Sequence, residues 1–383
     1  MQYRTFPGID KPVSILGFGA MRMPTKSAAP SDIDEEKAIA MIRHAIDNGV
    51  NYVDTAYVYH NSCSEGLLAK ALKDGYREKV FLADKMPMWC AVKPEEGGLD
   101  AIFQRQLDRL ETDVIDMYLL HNMNTPYWQM ALDMNAVEWL QQKKAEGKVR
   151  YIGFSFHDTP EKFREILDAA PWDFCQIQLN FMDRDFQAGE EGLRYAASKG
   201  IPVVIMEPLK GGRLVNNIPP TVQEIWDSSP VQRTAPEWGL RWVANHPEVM
   251  CVLSGMNTIE QVEENLRIMK DAAPNSLTAD EVALIEKAGD EYNNKIKASC
   301  TGCRYCLPCP MNIEIPRVIN IYNQWHVFHD AIASKKYWEL PDDRKPFNCV
   351  GCKACEGKCP QSLPIASVMR EMTEIFQPEK LKK

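Results

Sequence analysis

The amino-acid sequence predicts an α/β protein, with a (β/α)8 TIM barrel in residues 1–294 and a small α-helical, cysteine-rich domain in residues 295–383. Eight short apolar segments alternate with helical stretches before residue 294, and eight of the 12 cysteines fall after it. The apolar segments recur at roughly 25 to 50 residues, which is the spacing of βαβ units with right-handed crossovers. Eight such units favour a closed barrel, and an open doubly wound sheet is the alternative.

The predicted strands are near-continuous apolar runs, as expected for parallel strands that are covered on both faces. They cover residues 15–21, 51–55, 80–85, 114–121, 150–155, 174–180, 202–208 and 250–254. Helical periodicity is clear over residues 33–48, where Ser31 or Asp32 is the expected N-cap. Further helices are predicted over residues 279–291 and 316–333.

Composition and charge argue against two classes of function. The net charge of −9 disfavours nucleic-acid binding, which needs a basic surface. The chain contains no run of about 18 apolar residues, so no membrane span is predicted. Its N-terminus lacks the pattern of a secretory signal, and we therefore expect a cytoplasmic protein. The charge is uneven, because residues 295–383 hold 14 Lys and Arg against 9 Asp and Glu, whereas residues 1–294 hold 30 against 44.

The C-terminal cysteines form two segments with the spacing of iron–sulfur ligands, CTGCRYCLPCP and CVGCKACEGKCP. In such segments three cysteines hold one 4Fe–4S cluster, and the fourth, which precedes a proline, reaches the other cluster. We therefore predict two 4Fe–4S clusters. The ligands of the first would be Cys300, Cys303, Cys306 and Cys359. The ligands of the second would be Cys349, Cys352, Cys355 and Cys309.

Zinc is the alternative metal, because Cys-x2-Cys pairs also build tetrahedral zinc sites. Zinc sites normally separate two such pairs by a dozen or more residues, whereas four cysteines follow one another in each segment here. The last step of the first segment is one residue shorter than the usual bacterial spacing. The exchange of Cys309 and Cys359 between the two clusters is therefore left open.

Four residues at the ends of predicted strands have the chemistry of a carbonyl reduction. The C-terminal ends of barrel strands are where catalytic groups lie, and here they carry Asp54, Tyr59, Lys85 and His121. Hydride addition to a carbonyl needs a proton donor for the developing alkoxide. A tyrosine can donate when a nearby lysine lowers its pKa, an aspartate can keep that lysine charged, and a histidine can orient the carbonyl. Taken singly, each residue type also occurs at such positions for structural reasons.

The segments DTAYVY, ADK and DMYLLH resemble motifs of the aldo/keto reductase superfamily, and the resemblance extends over about residues 13–268. With its cysteine-rich C-terminus, the whole chain resembles the branch that carries a ferredoxin-like domain with two 4Fe–4S clusters. The resemblance implies a catalytic tetrad of Asp54, Tyr59, Lys85 and His121, with Tyr59 as the general acid and no metal in the barrel. It also implies NAD or NADP as the cofactor.

By the same resemblance, Ser155 and Gln176 bind the carboxamide of the nicotinamide. The other cofactor contacts implied by the motifs are Gly19, Met21, Met206, Leu209, Gly255, Met256, Gln261 and Asn265. The sequence departs from better-known members at Met206, where a tyrosine usually stacks on the nicotinamide, and at Phe156, where an asparagine is usual. Gly255 and Gln261 stand where many members place the Lys and Arg that pair with the 2′-phosphate of NADP. Without these charge-assisted contacts, a preference for NADPH is not expected.

The sequence thus predicts an oxidoreductase that reduces a carbonyl or related organic substrate with a nicotinamide cofactor. Hydride transfer moves two electrons together, whereas each cluster accepts one. Coupling to the clusters would therefore call for an electron partner such as a ferredoxin, a flavodoxin or a flavoprotein. Two alternatives remain open: a plain NAD(P)H reductase with structural clusters, and an electron-transfer or docking protein with a silent barrel.

Overall fold

The computed structural model describes residues 1–300 and 302–381, which form two compact units. The first unit comprises Met1–Leu214 and Arg233–Ile285, and the second comprises Val215–Gln232 and the residues from Glu286 onward. Residues 215–232 and 286–294 therefore belong to the second unit, although they precede the predicted boundary. The domain boundary at residues 294/295 stays a prediction.

Eight parallel strands close into a barrel, which confirms the (β/α)8 prediction and rules out the open sheet. Each strand pairs with its neighbours in chain order, and the last pairs with the first. They are β3 (Leu16–Gly19), β4 (Tyr52–Asp54), β5 (Phe81–Met86), β6 (Ile115–Met123), β7 (Val149–Phe156), β8 (Phe174–Gln178), β9 (Val203–Met206) and β10 (Val249–Ser254). All eight predicted strands are present, with ends that differ by a few residues.

A short antiparallel hairpin of β1 (Tyr3–Arg4) and β2 (Val13–Ser14) precedes the barrel and was not predicted. Its residue Arg4 is buried, and the guanidinium donates to the carbonyl oxygens of Ala244, His246 and Val249. The hairpin is therefore held by backbone acceptors just before and at the start of β10.

Fifteen α-helices lie within the described residues. They are α1 (Glu35–Asp47), α2 (Ser64–Ala71), α3 (Met88–Ala91), α4 (Gly98–Leu110), α5 (Thr125–Asp133), α6 (Ala136–Ala145), α7 (Pro160–Asp168), α8 (Gly189–Ser198), α9 (Pro220–Asp227), α10 (Ala235–Ala244), α11 (Ile259–Lys270), α12 (Ala279–Asn294), α13 (Ile315–Phe328), α14 (Ala331–Trp338) and α15 (Ile365–Phe376). Over residues 1–300 and 302–381, every helix is too short or too polar to span a bilayer.

Two predicted helices differ from the observed ones. The N-cap of α1 is Asp34, whose side chain accepts from the Lys37 N–H, so the choice of Ser31 or Asp32 was wrong. The predicted helix 316–333 is two helices, because His329 adopts a left-handed conformation with φ of 45° and ends α13.

The barrel interior positions the predicted site. Its buried core is built from apolar strand residues such as Tyr52, Phe81 and Met117. Strand register then places Gly19 opposite Asp54, and Ser155 opposite Gln176. Since all eight strands are parallel, these residues meet at the same end of the barrel, where catalytic groups are expected.

The second unit has a core of its own, which is built mainly from one face each of α13 and α15. Val318, Ile319 and Tyr322 of α13 and Val368 and Met369 of α15 are buried in it. Six of the eight predicted cluster ligands pack against this core: Cys300, Cys306, Cys309, Cys349, Cys355 and Cys359. The remaining two, Cys303 and Cys352, are exposed.

Candidate active site and cysteine centres

A cavity of about 410 Å³ opens at the carboxyl ends of the barrel strands. All eight barrel strands, or the loops directly after them, contribute to its lining. The lining residues are Gly19, Met21, Arg22, Asp54, Tyr59, Lys85, His121, Asn122, Ser155, His157, Gln176, Met206, Glu207, Leu253 and Gly255. The cavity therefore brings together the four predicted catalytic residues and six of the ten predicted cofactor contacts.

Lys85 and Asp54 form an ion pair at the base of this cavity. Lys85 Nζ lies 2.6 Å from Asp54 Oδ1 and also donates to the carbonyl oxygen of Thr55 at 2.5 Å. The side chains are 1% and 4% exposed, so the pair is almost fully desolvated. Burial lowers the pKa of Lys85, but the Asp54 carboxylate outweighs it, and the pKa of Lys85 lies above its ordinary value. The ammonium group is therefore charged at neutral pH.

Tyr59 lies in the loop between β4 and α2, with its ring beside this ammonium group. Lys85 Nζ is 5.0 Å from the centre of the Tyr59 ring. Burial raises the pKa of Tyr59, while the charge of Lys85 lowers it. Burial prevails, so the pKa lies above its ordinary value, contrary to the lowering expected from the sequence. Tyr59 consequently holds its proton at neutral pH, which is the form that a general acid needs.

His121 of β6 completes the group of four. Its ring packs edge-on against Tyr59 at 5.9 Å between ring centres, and its other neighbour, Trp89, lies at 5.1 Å. Burial, with the nearby Lys85 charge, lowers the pKa of His121 well below its ordinary value. The imidazole is therefore neutral, and its buried Nδ1 has no hydrogen-bond partner within residues 1–300 and 302–381.

Ser155 and Gln176 have the polar atoms that a carboxamide would need. The Asn122 N–H donates to Ser155 Oγ at 2.7 Å, which leaves the serine hydroxyl hydrogen free to donate elsewhere. Gln176 is buried, and its Oε1 accepts no hydrogen bond from the described part of the chain. A buried acceptor without a donor is unfavourable, and the NH₂ group of a nicotinamide would satisfy it. These residues fit the cofactor that the sequence predicts.

Sequence reasoning missed five residues of the lining: Arg22, Asn122, His157, Glu207 and Leu253. Arg22 Nη2 bonds Glu207 Oε1 at 2.9 Å, and Arg22 also lies beside the position that a side chain at Gly255 would occupy. The position of Arg22 directly after Met21, a predicted cofactor contact, was the available signal for Arg22. Glu207 comes from a loop far away in sequence, so nothing local pairs it with Arg22.

Four of the predicted cofactor contacts lie outside the lining of this cavity. Leu209 is half-buried and Met256 is buried. Gln261 Oε1 accepts from the Asn257 N–H at 2.9 Å, and Asn265 donates to Ser254 Oγ at 2.9 Å. The Gln261 amide therefore stabilises the loop after β10, and the Asn265 amide stabilises the last residue of β10. Their contact with a cofactor stays a prediction.

In the second unit, Cys306 interacts electrostatically with thiols from both cysteine segments. Burial raises the pKa of the Cys306 thiol, and Cys300, Cys303 and Cys359 raise it further. Four thiols that act on one another suit a centre that binds them as thiolates, because bound iron replaces their protons. The structure thus groups Cys359 with the first three cysteines of the other segment.

A small apolar cavity brings together the remaining four thiols. Cys309, Cys349, Cys352 and Cys355 all line it, among apolar residues that include Ile315 and Met369. An apolar, largely closed setting with four sulfur ligands fits a cubane cluster. These two groups contain the residues of the two predicted ligand sets, and the assignment of each cysteine to a cluster stays a prediction.

Fold and site together define a class of protein. A closed parallel barrel with an acid–base site at its strand ends has the architecture of a barrel enzyme. The profile of the Aldo/keto reductase family matches residues 15–290, and that of the 4Fe-4S dicluster domain matches residues 299–364. This protein belongs to the aldo/keto reductase family of oxidoreductases, with a C-terminal 4Fe–4S dicluster domain that contains all eight cysteines of the two segments.

Several relatives resemble the barrel part of the chain. It is 27% identical over 301 residues to the NADH-specific methylglyoxal reductase of Escherichia coli, covering 67% of this chain and 90% of the relative. The aldo-keto reductase AKR11C1 from Bacillus halodurans, in its holo form, has 28% identity and a TM-score of 0.63, with 75% of this chain and 96% of that one covered. An aldo-keto reductase from Klebsiella pneumoniae in complex with NADPH has 25% identity and a TM-score of 0.60, with 75% and 95% covered.

Proposed function

We propose that this protein reduces a small carbonyl compound with a nicotinamide cofactor and that Tyr59 donates the proton. The supporting observation is that Tyr59, the Lys85–Asp54 pair and His121 share one cavity with Gln176, whose buried acceptor lacks a donor. The names of two similar proteins agree with this proposal, since one is a methylglyoxal reductase and the other binds NADPH.

The residues divide the work of the reaction between them. A bound reduced nicotinamide supplies the hydride. The Tyr59 hydroxyl gives its proton to the carbonyl oxygen as negative charge develops there. Lys85 stabilises the tyrosinate that remains, and Asp54 keeps Lys85 charged. Neutral His121 positions the carbonyl oxygen by donating a hydrogen bond from its ring N–H.

Substitution of Tyr59 tests this role directly. Tyr59→Phe removes the hydroxyl and should lower kcat for carbonyl reduction by roughly 100-fold or more, because one positioned acid contributes about that much. Binding of NADH should change little, since the hydroxyl matters as charge develops. Steady-state kinetics and a fluorescence titration with NADH measure the two effects.

A matched control is available on the strand that precedes Tyr59. Tyr52 is buried in the barrel core, and its hydroxyl has no hydrogen-bond partner among the described residues. Tyr52→Phe should therefore leave kcat within about twofold of the parent. A fall of less than threefold in Tyr59→Phe, in an assay limited by chemistry, would remove Tyr59 from the mechanism.

We propose that NADH is used at least as well as NADPH. Gly255 offers no charge to a 2′-phosphate, and the exposed Gln261 offers only an amide. The ratio of kcat/KM for the two cofactors measures this preference, and Gln261→Arg should shift it toward NADPH. A preference for NADPH of about 100-fold in the parent would contradict the proposal and would point to another cation. Arg267 is one such candidate, although it is now paired with Glu237 at 2.9 Å.

For the dicluster domain, we propose two 4Fe–4S clusters with the ligand sets named above and exchange of single electrons with a ferredoxin, flavodoxin or flavoprotein. The grouping of Cys359 with the first segment and of Cys309 with the second supports these sets. The hydride comes directly from the nicotinamide, so NADH-dependent reduction alone does not test this exchange. Oxidation of a reduced ferredoxin or flavodoxin by the protein, measured before and after cluster removal, distinguishes this proposal from a plain reductase with structural clusters, which would exchange no electrons.

A further inference from the structure

Outside the lining of the active-site cavity, a group of interacting polar side chains adjoins Lys85. Asp84 precedes Lys85 on β5, Glu65 lies on α2, and Gln106 and Arg109 lie on α4. Asp84, Glu65 and Gln106 are fully buried, and none of the four lines the cavity. Two carboxyl groups without access to water must be stabilised by hydrogen bonds, by paired cations or by protonation.

A count of hydrogen-bond donors shows that this group lacks one hydrogen. The Lys85 N–H donates to Asp84 Oδ1 at 2.8 Å. The Gln106 amide gives its hydrogens to Asp84 Oδ2 at 2.8 Å and to the Lys85 carbonyl oxygen at 3.1 Å. Arg109 donates to Glu65 Oε2 at 2.8 Å, and the Gln106 amide also lies close to Glu65. Because both hydrogens of that amide are already used, Glu65 Oε1 is buried without a donor within residues 1–300 and 302–381. The carboxyl groups of Asp84 and Glu65 lie within hydrogen-bonding reach of each other, so one proton between them would complete the network.

A count of charges leads to the same result. The region holds three buried carboxyl groups, on Asp54, Asp84 and Glu65, but two cations, on Lys85 and Arg109. Asp54 is paired with Lys85, and Glu65 is paired with Arg109. Burial raises the pKa of Asp84 well above its ordinary value, and the neighbouring Glu65 carboxylate raises it further. Asp84 is therefore the carboxyl group without a cation of its own.

We propose that Asp84 is a neutral carboxylic acid that shares its proton with Glu65 and acts as a positioning residue for Lys85. Its role in catalysis rests on the proposed function, because Lys85 serves Tyr59 there. A neutral Asp84 braces the backbone of Lys85 through one N–H bond and, by way of Gln106, through the Lys85 carbonyl oxygen. At the same time it adds no second negative charge beside the lysine, whose ammonium group remains available to Tyr59.

Ionisation of Asp84 would act on every charged or titratable group around it. These groups are Tyr59, Glu65, Lys85 and Tyr118. A second carboxylate beside Lys85 would offset the charge that stabilises a tyrosinate at Tyr59, and proton donation would become harder. While the proton is shared, Asp84 adds no charge between the two ion pairs, Lys85–Asp54 and Glu65–Arg109, and the charges within each pair balance.

Infrared spectroscopy of the intact protein tests for the shared proton without any assay of activity. At neutral pH, the parent should show the carbonyl stretch of a buried, protonated carboxyl group, and Asp84→Asn should lose it. The matched control is Asp116→Asn, because Asp116 is equally buried on the neighbouring strand β6 but is paired with Arg77 at 2.8 Å and Arg150 at 3.2 Å. That control should keep the band. A parent without the band, or a band that survives in Asp84→Asn, would overturn the proposal.

Kinetics of two Asp84 variants test the positioning role. Asp84→Ala removes the brace on Lys85 and should lower kcat for carbonyl reduction roughly tenfold or more, with KM for NADH within about twofold. Asp84→Asn keeps the size of the side chain, an oxygen that accepts from the Lys85 N–H and a hydrogen for Glu65, although it gives up the acceptor for Gln106. It should therefore recover most of that loss. If Asp84→Asn is as slow as Asp84→Ala, the neutral form is not what Lys85 needs, and the positioning role fails.

The two tests separate this inference from the proposed function. Should the parent reduce no carbonyl compound, the infrared band still decides whether the proton is shared. If Tyr59→Phe behaves as expected but the infrared band is missing, the role of the tetrad is supported and the shared proton is contradicted. If Asp84→Ala does not fold, Asp84→Asn alone carries both the infrared and the kinetic readouts.

Discussion

At the scale of single residues, burial governs the active site more than any one charge does. Lys85 and Asp54 are desolvated together, which makes each dependent on the other for its charge. Tyr59 and His121 are buried beside them, and burial favours the neutral form of both groups. The cavity therefore presents one fixed cation, one neutral acid and one neutral imidazole to a bound substrate.

This division of charge predicts the pH dependence of carbonyl reduction. The pKa of Tyr59 lies above its ordinary value of 10.0, and that of His121 lies well below 6.5. Proton donation needs protonated Tyr59, so kcat should stay level between pH 7 and pH 9 and fall only as the pH rises past 10. A profile of kcat against pH measures this. An inflection between pH 6 and pH 8 would show that His121 titrates during turnover and would contradict a permanently neutral imidazole.

That the four candidate catalytic residues share one cavity could be predicted from sequence, but their electrostatics could not. Asp54, Lys85 and His121 stand on strands that are easy to recognise, and parallel strands bring their ends together. The sequence led us to expect a lowered pKa for Tyr59, because it shows Lys85 but not the burial that outweighs it. Arg22 and Glu207 escaped notice because their ion pair joins two loops that are distant in the chain.

At the scale of elements, the loop between β4 and α2 shows what local patterns conceal. His60, Asn61 and Ser62 are three consecutive left-handed residues directly after Tyr59, with φ of 51°, 53° and 66°. Each costs about 1 kcal/mol or more without glycine. The ring of His60 holds the loop in place, because its Nε2 accepts from the Met23 N–H at 3.0 Å and its Nδ1 bonds the Pro30 carbonyl oxygen at 2.7 Å. Tertiary contacts, which sequence does not show, thus fix the position of Tyr59.

Elements with a clear local sequence pattern were predicted, and elements without one were not. Buried parallel strands are near-continuous apolar runs, so all eight barrel strands were predicted. The β1–β2 hairpin has two residues in each strand, which is too short for any period to appear. The break between α13 and α14 falls at His329, and neither a glycine nor a proline marks it in the sequence.

The two cysteine segments make a prediction at this scale. Anaerobically purified protein should contain about eight iron atoms, and any single ligand variant should keep about four. Cys306→Ala and Cys359→Ala should lose the same cluster, whereas Cys309→Ala and Cys352→Ala should lose the other. Electron paramagnetic resonance of the reduced variants identifies the cluster that remains.

Cys63→Ala is the control for this experiment, because Cys63 is an exposed thiol in the barrel unit and should not affect iron content. If Cys309→Ala and Cys306→Ala lose the same cluster, each segment supplies all four ligands of its own cluster. Stoichiometric zinc in place of iron would contradict both arrangements.

At the scale of the whole molecule, the net charge differs between residues 1–294 and residues 295–383. Residues 1–294 carry a net charge of −14, and residues 295–383 carry +5. Each oxidised cluster with four thiolates adds about −2, so two clusters offset most of the positive count. The overall charge of the C-terminal part is therefore close to neutral, and attraction for an acidic partner must come from particular side chains.

Lys353 and Lys358 are the side chains best placed to provide that attraction. Both are exposed and both lie within the second cysteine segment, next to exposed Cys352 and half-buried Cys359. Complementary charge mainly raises the rate of encounter, and salt screens it over about 10 Å at 0.1 M. Electron exchange with an acidic ferredoxin or flavodoxin should therefore slow as ionic strength rises. The double variant Lys353→Glu with Lys358→Glu should slow it further and should weaken its dependence on salt.

A double variant of equal charge, Lys11→Glu with Lys335→Glu, changes exposed lysines outside both cysteine segments and should exchange electrons at nearly the parent rate. Stopped-flow measurement over a range of ionic strengths compares the three proteins. If the rate of electron exchange is independent of ionic strength in all three proteins, acidic carriers do not dock at the second cysteine segment. The clusters would then be better explained as structural.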